Sequence, residues 1–127
     1  MSGNSLLLDT NVILYFLSGD DTLIPLFEDR NLVISIIIEI ELLGYAGFSA
    51  KELEQTEKFL QNCTVINLNT DIKNKAITIR RKHKLKLPDV VILATANSMD
   101  IPLITADLDF KKVKSANIII YEGDENQ

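Results

Sequence analysis

Short apolar runs alternating with longer stretches of helical period predict an α/β fold, a three-layer α/β/α arrangement around a five-stranded, mostly parallel sheet. Runs of strand length fall at 5–8, 32–35, 64–66, 102–105 and 117–121. Leu6-Leu7-Leu8 and Ile118-Ile119-Ile120 do not alternate with polar residues, the pattern of strands covered on both faces. Helical periods at 12–17, 36–45, 50–61, 72–84 and 90–99 fill the intervals. Strand, helix, strand in succession makes βαβ units, whose crossovers are right-handed in about 98% of cases.

Taken in order, the first run ends at Asp9 and leads into the helical stretch 12–17. The second run leads into 36–45, an apolar helix interrupted by Glu39 and Glu41. Ser49-Ala50-Lys51-Glu52 opens 50–61 as a capping box, serine oxygen and glutamate each satisfying an orphan N–H group. Pro88 marks the start of 90–99, because proline is favoured at the first helical position. That puts Asp89 in the first turn, where the helix dipole favours its ionised form. The fourth run ends at Thr105, with Asp107 two residues beyond.

Composition bounds the function. At 127 residues the chain is one domain by the usual size of roughly 100–200 residues, expected over 1–122 with a polar, acidic, disordered tail at 123–127. Hydrophobic residues make up 46% and charged residues 24%, the balance of a globular protein. The single Cys63 cannot form an internal disulfide and points to a reducing compartment, hence a cytoplasmic location. The N-terminus lacks the basic region of a signal peptide. The most apolar stretch, 32–48, contains Glu39 and Glu41, so no membrane span is expected. Thirteen Lys plus Arg against eighteen Asp plus Glu leave −5, the wrong sign for binding nucleic acid through bulk charge. Any such binding is local.

Carboxylates falling at the ends of apolar runs are the informative feature. Open α/β sheets bind ligands just beyond the carboxyl ends of their strands. Asp9 and Asp107 both occupy such positions, and if their strands are neighbours, about 4.8 Å apart, both acids reach one bound ion. The first strand then has the second on one side and the fourth on the other. Glu39 and Glu41 lie about 200° apart on their helix, so only one faces inward easily. Gly44, on the Glu41 face, leaves room for a ligand and favours Glu41. Each acid alone has a plain structural use, as a helix cap or a surface charge. Together they repel, by about 4 kcal/mol for two charges at 4 Å and an effective dielectric of 20, and need a counter-charge. An all-oxygen set suits Mg²⁺ or Mn²⁺; zinc would have one His and one Cys to use.

Four segments then stand out together: Leu7-Leu8-Asp9-Thr10-Asn11, Glu41-Leu42-Leu43-Gly44-Tyr45, Leu87-Pro88-Asp89-Val90-Val91-Ile92-Leu93-Ala94-Thr95-Ala96 and Leu103-Ile104-Thr105-Ala106-Asp107-Leu108-Asp109-Phe110. In this order and spacing the chain resembles the PIN-domain nucleases, in particular the small VapC-type ribonuclease toxins of toxin–antitoxin modules. The resemblance implies strand order 3-2-1-4-5 and Mg²⁺-dependent hydrolysis of RNA to 5′-phosphate and 3′-hydroxyl ends. It maps the catalytic acids to Asp9, Glu41, Asp89 and Asp107, with Asp9, Asp89 and Asp107 as metal ligands and Asn11 and Thr105 in support. It further implies a homodimer and a cognate antitoxin that blocks the site. The chain departs from the pattern at Ile38, where a hydroxyl residue often stands, and Asp109 competes with Asp107 as the fourth acid.

RNA needs positive charge close to that site. Arg80, Arg81, Lys82, Lys84 and Lys86 carry about +5 just before Asp89, and Lys111, Lys112 and Lys114 follow Asp107. The plain reading of either run is a solvated face. His83 reads as a surface residue and Cys63 as structural. Tyr15, Phe16, Phe27, Tyr45, Phe48 and Phe59 fall on apolar faces and are expected to pack in the core or against a second subunit rather than stack on bases. A non-cleaving binding protein of the same fold is the alternative. A phosphatase of the haloacid-dehalogenase type wants a second Asp where Asn11 stands, and a receiver domain wants paired acids at the first strand and an Asp after Thr64-Val65-Ile66.

Overall fold

The computed structural model describes residues 4–114 and 117–123. Its centre is β1 (Ser5–Leu8), which pairs in parallel with β2 (Asn31–Ser35) on one side and β4 (Leu103–Thr105) on the other. β3 (Thr64–Ile66) extends the sheet beyond β2 and β5 (Ile118–Ile120) beyond β4, again in parallel, giving the order 3-2-1-4-5. The expected sheet is therefore the observed one, with every pairing parallel.

The register sets Leu6 beside Leu32 and Leu8 beside Ile104. Leu6, Leu7 and Leu8 are no more than 2% exposed, which accounts for the unbroken leucine run: a central strand packed on both faces has no position for a polar side chain. Burial of each such side chain is worth about 1.5–3 kcal/mol. Ile118-Ile119-Ile120 departs from expectation. Among the described residues β5 is an edge strand bonded only to β4, and Ile119 is 42% exposed. A triple-isoleucine run cannot distinguish a central strand from an edge one.

Among the described residues the sheet is covered by α1 (Thr10–Leu17), α2 (Ile24–Phe27), α3 (Ile36–Leu43), α4 (Ala50–Gln61), α5 (Thr70–Lys82) and α6 (Leu87–Met99). Each longer helix matches an expected one with ends shifted by a few residues. α4 opens with the expected capping box, Ser49 Oγ accepting from Glu52 N–H at 3.1 Å and Glu52 accepting from Ser49 N–H at 2.9 Å. α2, the 3-10 turn before it (Asp21–Leu23) and a second 3-10 turn (Leu108–Lys112) are too short to carry a periodic signal.

Phe16, Phe27 and Phe59 meet with ring centroids 4.9 to 6.4 Å apart, a core cluster as expected. Cys63 is half-buried, donates to the Phe59 carbonyl, and burial pushes its thiol up to about 11, fitting a structural role. No helix among the described residues is long and apolar enough to cross a membrane. The tail expected to be disordered at 123–127 lies, apart from Gly123, outside the described residues.

Candidate active site

Adjacency of β1 and β4 brings residues nearly a hundred positions apart into hydrogen-bond contact. Asp9 N–H donates to the Ile104 carbonyl at 3.0 Å, so the turn after β1 lies against the end of β4. Asp9 is 5% exposed and caps α1, its Oδ1 accepting from Thr10 N–H at 2.8 Å. Its Oδ2 accepts from the fully buried Thr105 Oγ1 at 2.6 Å. The same Thr105 oxygen accepts from Asp107 N–H at 3.0 Å. One hydroxyl thus holds one acid by its carboxylate and the other by its backbone. Asn11 Oδ1 accepts from Ala106 N–H at 3.0 Å and ties the loop after β4 to α1.

Asp89 enters from α6. Lys86 is the N-cap and Leu87 the first helical residue, so Pro88 is second rather than first and Asp89 third. Its titration runs against the expectation from the helix dipole. Burial raises its carboxyl to about 6, and the charges of Asp9 and Asp107 add to the rise; Lys86 opposes it and Glu41 contributes further. In a half-buried site facing other carboxylates, desolvation and repulsion outweigh the dipole of one helix turn. Asp9 is raised too, mainly by burial, against the hydrogen bonds from Thr105 and Thr10 and with a small addition from Asp107.

Glu41 projects from α3 near its end, exposed, with Oε1 accepting from Thr10 Oγ1 at 3.3 Å. Sequence reasoning missed Thr10; its place beside Asp9, in the first turn of α1, was the available signal. Ile38, at the position where a hydroxyl often stands, is wholly buried in the core. Gly44, expected to leave room for a ligand, has a backbone use of its own. A Cβ there would stand 2.6 Å from the Ile40 carbonyl oxygen, so the glycine serves the close of α3.

Of the two acids after β4, Asp107 is the one whose charge acts on Asp9 and Asp89. Asp109 turns to the surface, 3.6 Å from Lys112 Nζ, and donates its N–H to Asp107 Oδ1 at 2.9 Å. Lys111 lies 3.7 Å from Glu122, so these two lysines of the second basic run are engaged in ion pairs. In the first run, Arg80, Arg81 and Lys82 form the last turn of α5, favourable to its dipole on that ground alone. Arg80 and Arg81 line an apolar hollow between α5 and α6. Lys82 and Lys84 are exposed, and Lys86 is the member whose charge reaches Asp89. His83, half-buried, ends α5.

Among the described residues no three His, Cys, Asp or Glu side chains close into a ready-made coordination shell. None of the ion pairs there involves Asp9, Glu41, Asp89 or Asp107. Their donor chemistry nonetheless fits one kind of ion: oxygen only, negatively charged, partly dehydrated and short of positive charge. Mg²⁺ dehydrates reluctantly and keeps several of its waters, so one or two carboxylates suffice to hold it.

A parallel 3-2-1-4-5 sheet with acids gathered beyond the ends of β1 and β4 defines an acidic-site α/β domain. The chain belongs to the PIN domain family, whose model matches residues 6–116. No curated protein matches it. Among solved structures, a toxin–antitoxin complex from Klebsiella pneumoniae superposes with a TM-score of 0.77 and 30% identity, over 90% of this chain and 95% of that one. DNA-bound VapBC from Salmonella typhimurium gives 0.78 at 22% identity over 91% and 97%. VapBC-1 from nontypeable Haemophilus influenzae gives 0.74 at 22% over 91% and 97%. The last two establish likeness of fold.

Proposed function

We propose that the protein is a Mg²⁺-dependent endoribonuclease, with Mn²⁺ as a substitute, acting as the toxin of a toxin–antitoxin pair. The observation that carries the reading is the acid cluster itself: burial first, and then the charges of Asp9 and Asp107, lift Asp89 to about 6, with Lys86, among the described residues, the one cation that opposes the rise. Such an arrangement costs stability in isolation and is repaid by a cation. Asp9, Asp89 and Asp107 would hold it. When bound, Mg²⁺ supplies Lewis acidity toward a phosphate and lowers the pKa of water.

The chain's own residues then divide the remaining work. Thr105 fixes Asp9 and the loop carrying Asp107, so those two acids share one anchor. Asn11 braces that loop. Glu41, held by Thr10, is the exposed acid at the rim and would accept a proton from an approaching water. Lys86 offsets the cluster's charge at the mouth, where a phosphodiester must enter. Arg80, Arg81, Lys82 and Lys84 extend positive charge away from it. The toxin–antitoxin assembly of the Klebsiella relative supports a cognate antitoxin as partner. The apolar hollow of about 620 Å³ between α5 and α6, with Leu68, Ile77 and Leu87 exposed at its edge, supports a homodimer.

Asp9→Asn is the direct test. Asparagine keeps Oδ1 as the cap of α1 and turns its Nδ2 toward Thr105 Oγ1 as a donor, so the circular dichroism spectrum should be unchanged. Cleavage of single-stranded RNA should be lost, together with heat of Mn²⁺ binding in calorimetry. Full cleavage by the variant, or by the wild type in EDTA, would remove the metal-site reading.

A further inference from the structure

Tyr45 does not pack in the core as its neighbours in sequence suggest. It is 58% exposed, in the loop between α3 and α4, four residues past Glu41. Its ring meets the Phe48 ring edge-to-face, at 4.8 Å between centroids and 81° between planes. Phe48 in turn packs against the hydrophobic core, so the pair is anchored at one end. The tyrosine ring also lies directly over Gly47: a Cβ at that position would stand 2.3 to 2.7 Å from Oη, Cζ and Cε2. Only glycine lets the ring settle there. The Phe48 contact, and the space left by the missing side chain at Gly47, therefore give a position to a large aromatic side chain that remains mostly in water.

Tyr45, Gly47 and Phe48 line a hollow of about 470 Å³ together with Thr10, Glu41 and Glu52. That volume lies within the range of about 300–1,000 Å³ usual for small-molecule sites. Its polar lining excludes a phosphate, since Glu41 and Glu52 are carboxylates that accept hydrogen bonds and repel anions. A neutral planar group bearing N–H donors meets both requirements: its face stacks on the aromatic ring and its edge donates to the carboxylates. A nucleobase is such a group.

We propose that Tyr45, positioned by Gly47 and Phe48, stacks on an unpaired nucleobase of the RNA beside the scissile phosphate and so helps hold the strand at the site. This rests on the ribonuclease reading, because Glu41 links the hollow to the acid cluster. The hydroxyl is not required for stacking; the ring and its position are.

The chain contains no tryptophan, so Tyr45→Trp places a single fluorescent reporter at the ring. Titrated with a single-stranded RNA octamer in Ca²⁺ buffer, its emission should be quenched, whereas an abasic ribose-phosphate strand of the same length should leave it unchanged. Tyr45→Ala should raise the Kd for the octamer about tenfold, in line with the stacking of one base. Tyr45→Phe should bind like wild type. Gly47→Ala keeps the ring but displaces it, and should fall with Tyr45→Ala while melting at the temperature of the wild type. Equal quenching by both strands, or an unchanged Kd for Tyr45→Ala while the wild type binds RNA, would overturn the stacking role and leave the nuclease reading standing. A wild type that binds no RNA would overturn both.

Discussion

Asp89 concentrates the physics of the site in one carboxyl group. Folding lifts it from 3.8 to about 6, so between those values the native state keeps a proton that the unfolded chain has released. The native state binds more protons in that window, and stability therefore falls as pH rises through it, levelling off above about pH 6. Asp9, also raised, acts in the same direction. Asp20, Glu52 and Asp71 are lowered by their hydrogen bonds, so their contributions change at more acidic pH and with the opposite sign. In EDTA the melting temperature should decline from pH 4 to pH 6, and Asp89→Asn should flatten the decline. Mn²⁺ added at pH 7 should restore what the wild type lost and do much less for the variant. Asp89 and Asp9 were legible in the sequence as acids at the right places. The direction of the Asp89 shift was not, because it comes from neighbours on other elements.

At the scale of elements, the two best-read helix starts contrast. α4 begins with a reciprocal pair of hydrogen bonds between Ser49 and Glu52, visible in four consecutive letters because capping is local. Ser49→Ala should cost about 1 kcal/mol in urea denaturation and leave Mn²⁺ binding unchanged. α6 begins without a side-chain cap, at Lys86, where a serine or aspartate would serve the helix better. The lysine instead places its charge against Asp89. Local preference yields there to the demands of the cluster. The Tyr45 loop teaches the same lesson in reverse: its aromatic residues resemble core in sequence, and only the close approach to Gly47 and the turn after α3 carry the ring outward.

For the whole molecule, the acidic balance of −5 opposes approach of RNA at long range, so binding must depend on the few cations near the cluster. Affinity for single-stranded RNA should fall steeply with salt, and the logarithmic slope reports the number of phosphates neutralised. Lys84→Ala with Lys86→Ala should reduce that slope by about 1.4, twice the contribution of one contact to a single strand. Arg80→Ala with Arg81→Ala should change it less, because both residues line the apolar hollow on the α5–α6 face and would be covered in a dimer. Fluorescence anisotropy between 50 and 300 mM salt measures both, and a slope that neither pair alters would remove the basic segment from RNA binding.

The sequence by itself determined the class of fold, the central strand and which carboxylates fall at the ends of the apolar runs. Strand burial, helix period and capping are written in neighbouring residues, and carboxylates after apolar runs need no partner to be noticed. Tertiary structure decided everything that depends on residues far apart in the chain: Thr105 joining Asp9 to Asp107, Thr10 holding Glu41, and Asp107 rather than Asp109 facing the cluster. The reason is that pairing β1 with β4 converts a separation of 96 positions into one hydrogen bond, and no local pattern encodes which two strands will be neighbours.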